Sequence, residues 1–431
     1  MSKKKINIIC LGCSKNLVDS ELLMKQLDAE GYSVEADAEN SDAEIVVINT
    51  CGFIGDAKEE SVNTILDYAG LRKEGEIERL YVMGCLSERY KDALPLEIPE
   101  VDKFFGKFDW NGVIDDLGKH YHSELKHDRI LSTPKHYAYL KISEGCNRKC
   151  SYCAIPLITG EYKSRPMEEI VEEVEKLAAQ GVKEILMIAQ DLSYYGYEMY
   201  GEYKLAELTN RISKVEGIEW IKLHYAYPTN FPLNIVEEMA ANPKVCHYLD
   251  IALQHSSDNM LKIMRRGITR EKTIELINDI RKIVPDICLR TTLLVGHPGE
   301  TEEDFEDLKS FVKEMKFERL GVFPYSHEED THTALTYEDN IPQEVKDARA
   351  DEIMTIQENI SWETNQKLLD TDVKVIIDKK EGDTFIGRTA YDSPEVDLDV
   401  VISTEKEMII GEFYTVRITE ADTFDLFAIF E

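Results

Sequence analysis

Basic residues are scarce in this chain of 431 residues, which carries 50 Lys and Arg against 83 Asp and Glu, a formal net charge of -33. So acidic a surface repels phosphate backbones, whereas a nucleic-acid binder presents a basic face; direct nucleic-acid binding is disfavoured and a basic protein partner favoured. Long apolar runs are missing too. None reaches the roughly 20 residues that span a bilayer, and MSKKK leads straight into a strand-like segment without a signal-peptide core. The expectation is a cytoplasmic protein with no membrane contact, and nothing requires more than a monomer. Nine cysteines cannot all pair, and without a secretion signal they argue against a disulfide framework and for metal or redox work.

Three of those cysteines carry the sharpest signal. Cys146, Cys150 and Cys153 form a CxxxCxxC triplet in SEGCNRKCSYCAIP. Three soft thiolates can hold three irons of a cubic iron-sulfur cluster and leave the fourth open. Zinc would need a fourth ligand to close a structural site, and no further Cys or adjacent His supplies it. Packing of stray cysteines does not account for three within eight residues beside Gly145 and Pro156.

Around this triplet the chain reads as α/β. KINIICLGC, EIVVINTC and RLYVMGC are strand-like. Between them lie a helix opened by Ser20 and ending at Gly31, and another opened by a capping-box-like Asp56 and Glu59 and ending at Gly70. The βαβα order predicts a parallel sheet covered by helices. Cys13, Cys51 and Cys85 each follow one of the three strands, at the edge where such sheets gather ligands. They are read as a second three-thiolate group, with Cys10, Cys246 and Cys288 as core or incidental. Residues 121 to 137 break the pattern and suit a linker. Six further strands follow, YLKIS, EILMIAQD, WIKLHYAY, YLDIAL, ICLRTTLLV and RLGVFPY, with helices between them such as 166 to 180. They predict a partial (βα)6, TIM-like barrel with its site at the C-terminal strand ends. After a long amphipathic helix from Ile341, five short strands suggest a small closed all-β barrel. Residues 361 to 431 hold 17 acidic and 7 basic side chains, a poor surface for RNA. The expected divisions are 1–125, 132–362 and 363–431.

Taken in order, LGCSKNLVDSE, INTCGFI, GCLSERY, SEGCNRKCSYCAIP, LQHSSDNMLKIMRRG and VGHPGETEEDF, with the acidic terminal barrel, resemble the methylthiotransferases of the radical S-adenosylmethionine class. Segment 189–196, AQDLSYYG, is similar to the RimO branch, which modifies an aspartate of ribosomal protein uS12. The tRNA-modifying branch, the alternative, usually carries an Asn-rich GQNVNSY-like segment there. The resemblance implies two 4Fe-4S clusters, one on Cys146, Cys150 and Cys153 and one on Cys13, Cys51 and Cys85. It implies a TRAM-like terminal barrel and S-adenosyl-L-methionine, bound at the first cluster and cleaved to a 5′-deoxyadenosyl radical, with methylthio transfer at the second. An electron donor such as flavodoxin or ferredoxin is implied as well. Tyr152 resembles the aromatic that packs on the adenine. Gln190 and Asp191 at a strand end suit the cofactor's ammonium, and Arg266 suits a carboxylate. Glu144 and Gln254 occupy similar strand ends, while His255 reads as a satisfied polar residue rather than a proton shuttle. An iron-sulfur carrier without turnover is the remaining class, and two open triplets with a full barrel exceed its needs.

Overall fold

The computed structural model describes residues 3–39 and 41–430. Met1 and Ser2 of MSKKK and Glu431 of DLFAIFE lie outside the described residues. The N-terminal sheet comprises β1 (Lys5–Cys10), β2 (Ser33–Ala36), β3 (Ile45–Thr50), β4 (Arg79–Gly84) and β5 (Lys103–Phe104). All are parallel, in the order β2-β1-β3-β4-β5. Every residue of β3 is buried, as its IVVINT run demands of a strand covered on both faces. Chain order reverses between β1 and β3, and a doubly wound sheet opens its ligand crevice at the C-terminal ends beside that point.

Both helices differ from their sequence reading. Helix α1 (Ser14–Ala29) begins six residues before Ser20, because its first turns bury Asn16, Asp19 and Ser20 and show no apolar stripe. Helix α2 (Gly55–Glu74) runs through Gly70 and stops at Gly75. Its predicted capping box does not form; instead the Gly55 N–H donates to Ser326 Oγ at 3.2 Å, a partner from the central barrel.

The central unit starts with β6 (Tyr137–Lys141), followed by a hairpin of β7 (Ser143–Glu144) and β8 (Lys163–Ser164) that spans the CxxxCxxC loop. Strands β9 (Glu184–Ile188), β10 (Trp220–Ala226), β11 (Val245–Ile251), β12 (Cys288–Val295) and β13 (Arg319–Pro324) continue it. The six parallel strands run in order β6-β9-β10-β11-β12-β13. Ile353 and Ile360 of the long helix Gln343–Asn365 join the same core. The expected linker is pinned: Glu21 of α1 accepts from Ser132 N at 2.8 Å, and Arg129 is buried.

Strands β14 (Asp372–Glu381), β15 (Thr384–Thr389), β16 (Asp399–Ser403), β17 (Phe413–Ala421) and β18 (Asp425–Ile429) close a barrel in the order β14-β15-β16-β18-β17. It docks on the N-terminal strand ends of the central unit, where Trp220 meets Phe413 edge-on at 4.8 Å. Cys246 and Cys288 pack in that apolar contact. The barrel occupies the pole opposite the cysteine loop, and Asp378, Asp392 and Asp397 turn inward onto Arg388, Arg319 and Arg290. No helix among the described residues is long and apolar enough to cross a membrane.

Candidate active site

Cys13, Cys51 and Cys85 converge at the crevice of the N-terminal sheet. Cys13 is the extended residue before α1, Cys51 follows β3, and Cys85 opens the short helix α3 (Cys85–Arg89). Gly12, at φ +92°, permits the close approach: a Cβ there would stand 2.6 Å from Cys51 Cβ. Ser61 of α2 holds the Cys51 backbone from both sides, accepting from its N–H and donating to its carbonyl, each at 3.0 Å. Burial pushes the Cys85 thiol up to about 12 and raises Cys51 as well. Burial also works on Cys13, but the Lys15 and Lys107 ammoniums more than offset it and hold that thiol below its ordinary value.

The second triad lies on the loop between β7 and β8. Gly145, at φ +73°, starts it where a Cβ would come 2.1 Å from the Glu161 carbonyl. The Cys146 N–H donates to Gly160 O at 3.1 Å, and the Ser151 N–H to Met264 O at 3.0 Å. Arg266 Nη1 lies 3.2 Å from both Cys150 Sγ and Tyr152 Oη, and its guanidinium stands 4.1 Å from the Tyr227 ring. Arg148 approaches the same ring at 4.2 Å and binds Asp191 at 2.7 Å. Burial pushes Cys146 up to about 12 and raises Cys153 too. Binding of a metal to these thiols must therefore release protons.

The two triads meet. Cys85 packs against Ala154, the neighbour of Cys153, and against Ile158. Ion pairs lock the junction: Arg89 of α3 reaches Glu328 at 2.5 Å, and Lys58 of α2 reaches it at 2.9 Å. Among the described residues no three His, Cys, Asp or Glu side chains are grouped as ligands of a single ion. The donor set is soft, and buried donors stand ready around it. Arg148 Nη2 and Arg266 Nε find no partner among the described residues, nor do Ser14 Oγ and Ser87 Oγ beside Cys13 and Cys85. Thiolates for iron and unmet guanidinium donors for a carboxylate fit the expected cofactors.

The remaining candidates divide. Tyr152 and Arg266 come together at Cys150, with the Tyr152 ring edge-on to His297. Asp191 sits at the loop, yet its carboxylate is engaged by Arg148 and by Ser193 Oγ at 2.5 Å. Gln190 lies partly buried just beyond β9. Gln254 holds φ +74° while bridging β12 through Leu293, a strained backbone beside the mouth. Glu144 turns to Lys141, toward the N-terminal sheet. His255 Nδ1 accepts from the Ser256 and Ser257 N–H groups at 2.9 and 3.0 Å, which fixes the ring as a structural element. Sequence reasoning missed Arg148, Tyr227 and Lys107. The first lies inside the triplet and the second beyond the end of β10, so the strand-end rule could have flagged both; Lys107 carries no local signal.

A parallel partial barrel with three cysteines looped after its first strand defines a radical S-adenosylmethionine protein, and the model of the radical SAM superfamily matches residues 140–312. The models of uncharacterized protein family UPF0004 and of the TRAM domain match residues 5–106 and 371–430. The fold is shared with the radical S-adenosylmethionine methyltransferase TsrM from Kitasatospora setae, at TM-score 0.54 and 14% identity over 77% of this chain and 74% of that one. The cobalamin-dependent radical enzyme OxsB shares it at TM-score 0.52 and 13% identity, over 83% of this chain and 56% of that one. Ribosomal protein uS12 methylthiotransferase RimO from Bacteroides thetaiotaomicron is 60% identical over 99% of this chain and 98% of its own length. Its counterpart from Phocaeicola vulgatus is 59% identical over 99% of both chains. The chain belongs to the uS12 methylthiotransferase family, and these relatives do not favour the tRNA alternative.

Proposed function

We propose that this chain transfers a methylthio group to the β-carbon of an aspartate of ribosomal protein uS12. The observation that carries the reading is the junction of the two triads, Cys85 against Ala154 beside Cys153. Cys146, Cys150 and Cys153 would hold one 4Fe-4S cluster and Cys13, Cys51 and Cys85 another, each with an open iron. When bound, the clusters and S-adenosyl-L-methionine supply a radical able to remove an unactivated C–H hydrogen, a methyl group and a site for the transferred sulfur. The chain's own residues bind and orient. Arg266 ties Cys150 to Tyr152, and its free Nε suits the cofactor's carboxylate. Tyr152 would pack on the adenine, and Gln190 and Gln254 line the same end of the barrel. Asp191 and Glu144 serve at one remove, the first by fixing Arg148 and the second through Lys141.

The working divisions are 1–125 for the second cluster, 132–362 for the radical cluster and 363–431 for the terminal barrel. A one-electron donor such as flavodoxin or ferredoxin completes the system, in the cytoplasm, with the chain acting as a monomer. The test uses anaerobically reconstituted protein with S-adenosyl-L-methionine, reductant and either a peptide around the target aspartate or tRNA. A methylthio mass gain on the peptide is expected. Gain on tRNA alone overturns the reading.

A further inference from the structure

The loop after β5 places Lys107 beneath the N-terminal triad. Its side chain is 1% exposed. Its Nζ lies 3.1 Å from Asp19 Oδ2 and 3.4 Å from Asn16 Oδ1, and that amide oxygen lies 3.6 Å from Cys85 Sγ. Asp19 also takes Lys141 of β6, which pairs in turn with Glu144 at the edge of the other triad's loop. Two carboxylates, Asp19 and Glu144, thus serve two buried ammoniums, Lys107 and Lys141, and the close pairing offsets the cost of removing these charges from water.

Asn16 joins Lys107 to the triad, since its Nδ2 also donates to the Leu11 and Thr50 carbonyls, just before Cys13 and Cys51, at 3.1 and 3.0 Å. Burial opposes the charge on Lys107, yet Asp19, Cys85, Glu144 and Cys13 hold its pKa well above the ordinary lysine value. Lys15, the other cation near Cys13, is directed to the Tyr225 ring at 3.6 Å. Lys107 is sealed from solvent screening and lies one side chain away from the triad.

We propose that Lys107 is the fixed countercharge of the Cys13, Cys51 and Cys85 triad, a positioning residue that favours the reduced state of the cluster held there and so sets its reduction potential. The inference rests on the reading that this triad holds a 4Fe-4S cluster. One-electron reduction adds a negative charge to such a cluster, and a buried cation nearby stabilises the reduced form more than the oxidised one. Asp19 acts in the opposite sense.

The experiment uses the full chain with Cys146, Cys150 and Cys153 replaced by Ala, reconstituted anaerobically with iron and sulfide. Iron and sulfide content is measured first, because absence of any cluster sinks the cluster reading itself. The midpoint potential is then read by EPR during titration with dithionite. Lys107→Met shifts the midpoint to more negative values, Lys107→Arg keeps it near that of the parent, and Asp19→Asn shifts it to more positive values. Opposite signs from two neighbouring substitutions are not produced by loosened packing. Should Lys107→Met not fold, Lys107→Arg and Asp19→Asn still decide the matter. A cluster-loaded protein whose midpoint is unmoved by Lys107→Met, or moved in the negative direction by Asp19→Asn, overturns the proposal.

Discussion

The two ends of the central barrel are built from opposite materials. At the N-terminal strand ends, buried charges meet partners: Glu184 takes Arg388 and Lys222, each at 2.7 Å, and Arg319 takes Asp392 at 2.6 Å. At the C-terminal ends, Arg148 and Arg266 each keep a buried nitrogen without a partner among the described residues. Satisfied polar networks fix a structure, whereas unmet donors mark a place kept for something else to bind. One pole carries the stability of the assembly and the other its chemistry.

The largest effect expected from this contrast is at the open pole. Cys150→Ala removes a sulfur that Arg266 and Tyr227 surround. Reductive cleavage of S-adenosyl-L-methionine should fall to the uncatalysed background, while unfolding free energy changes by about 1 kcal/mol or less. Product chromatography and denaturant unfolding read the two quantities. Cleavage that survives the substitution breaks the assignment of this pole to chemistry.

The closed pole should answer in reverse. Arg388 bridges Glu184 and Asp378 across the contact with the terminal barrel. Arg388→Met strips a partner from two carboxylates, and breaking a buried pair in this way costs about 3–5 kcal/mol. Cofactor cleavage per folded molecule should stay at the parental rate. A loss of cleavage without a loss of stability would join the two poles and dissolve the distinction.

How much of this could be read from the chain follows the same division. The CxxxCxxC ligands are neighbours in sequence, and Cys13, Cys51 and Cys85 are found by a strand-end rule that needs only local periodicity. Strands β2 and β5, with four and two residues, are too short to show any period. The docking of the terminal barrel left no local trace. Arg388 and Glu184 are 204 residues apart, and neither position is unusual within its own strand. Net charge pointed away from nucleic acid, but it counts acids without showing where each one faces: Asp378, Asp392 and Asp397 face arginines rather than solvent. Lys107 was hidden in the same way, since a lysine in a loop is ordinarily solvated and only the folded molecule seals it.

The smallest effect is a difference in pH dependence, and it tests how dry the barrel interior is between the poles. His224, on β10, is buried beside Tyr248 with Ser393 Oγ at 3.5 Å. Burial first, then Arg290 and Lys222, pushes its pKa down to about 3. In the unfolded chain a histidine titrates near 6.5. Below that pH the unfolded chain takes up a proton that the folded chain refuses, so this residue's contribution to stability is lost as pH falls from about 6.5 toward 3. The loss amounts to about 1.4 kcal/mol per pH unit, or roughly 2 kcal/mol between pH 7 and pH 5. Glu184, which burial raises but Arg388 and Lys222 draw down to about 2, adds its own loss only below about pH 4.5. Urea unfolding of the parent and of His224→Phe at pH 7 and pH 5 isolates the histidine. The variant should lose less stability than the parent over that interval by about the same 2 kcal/mol. Equal losses would mean that water reaches His224 and that the terminal barrel does not seal the central one from below.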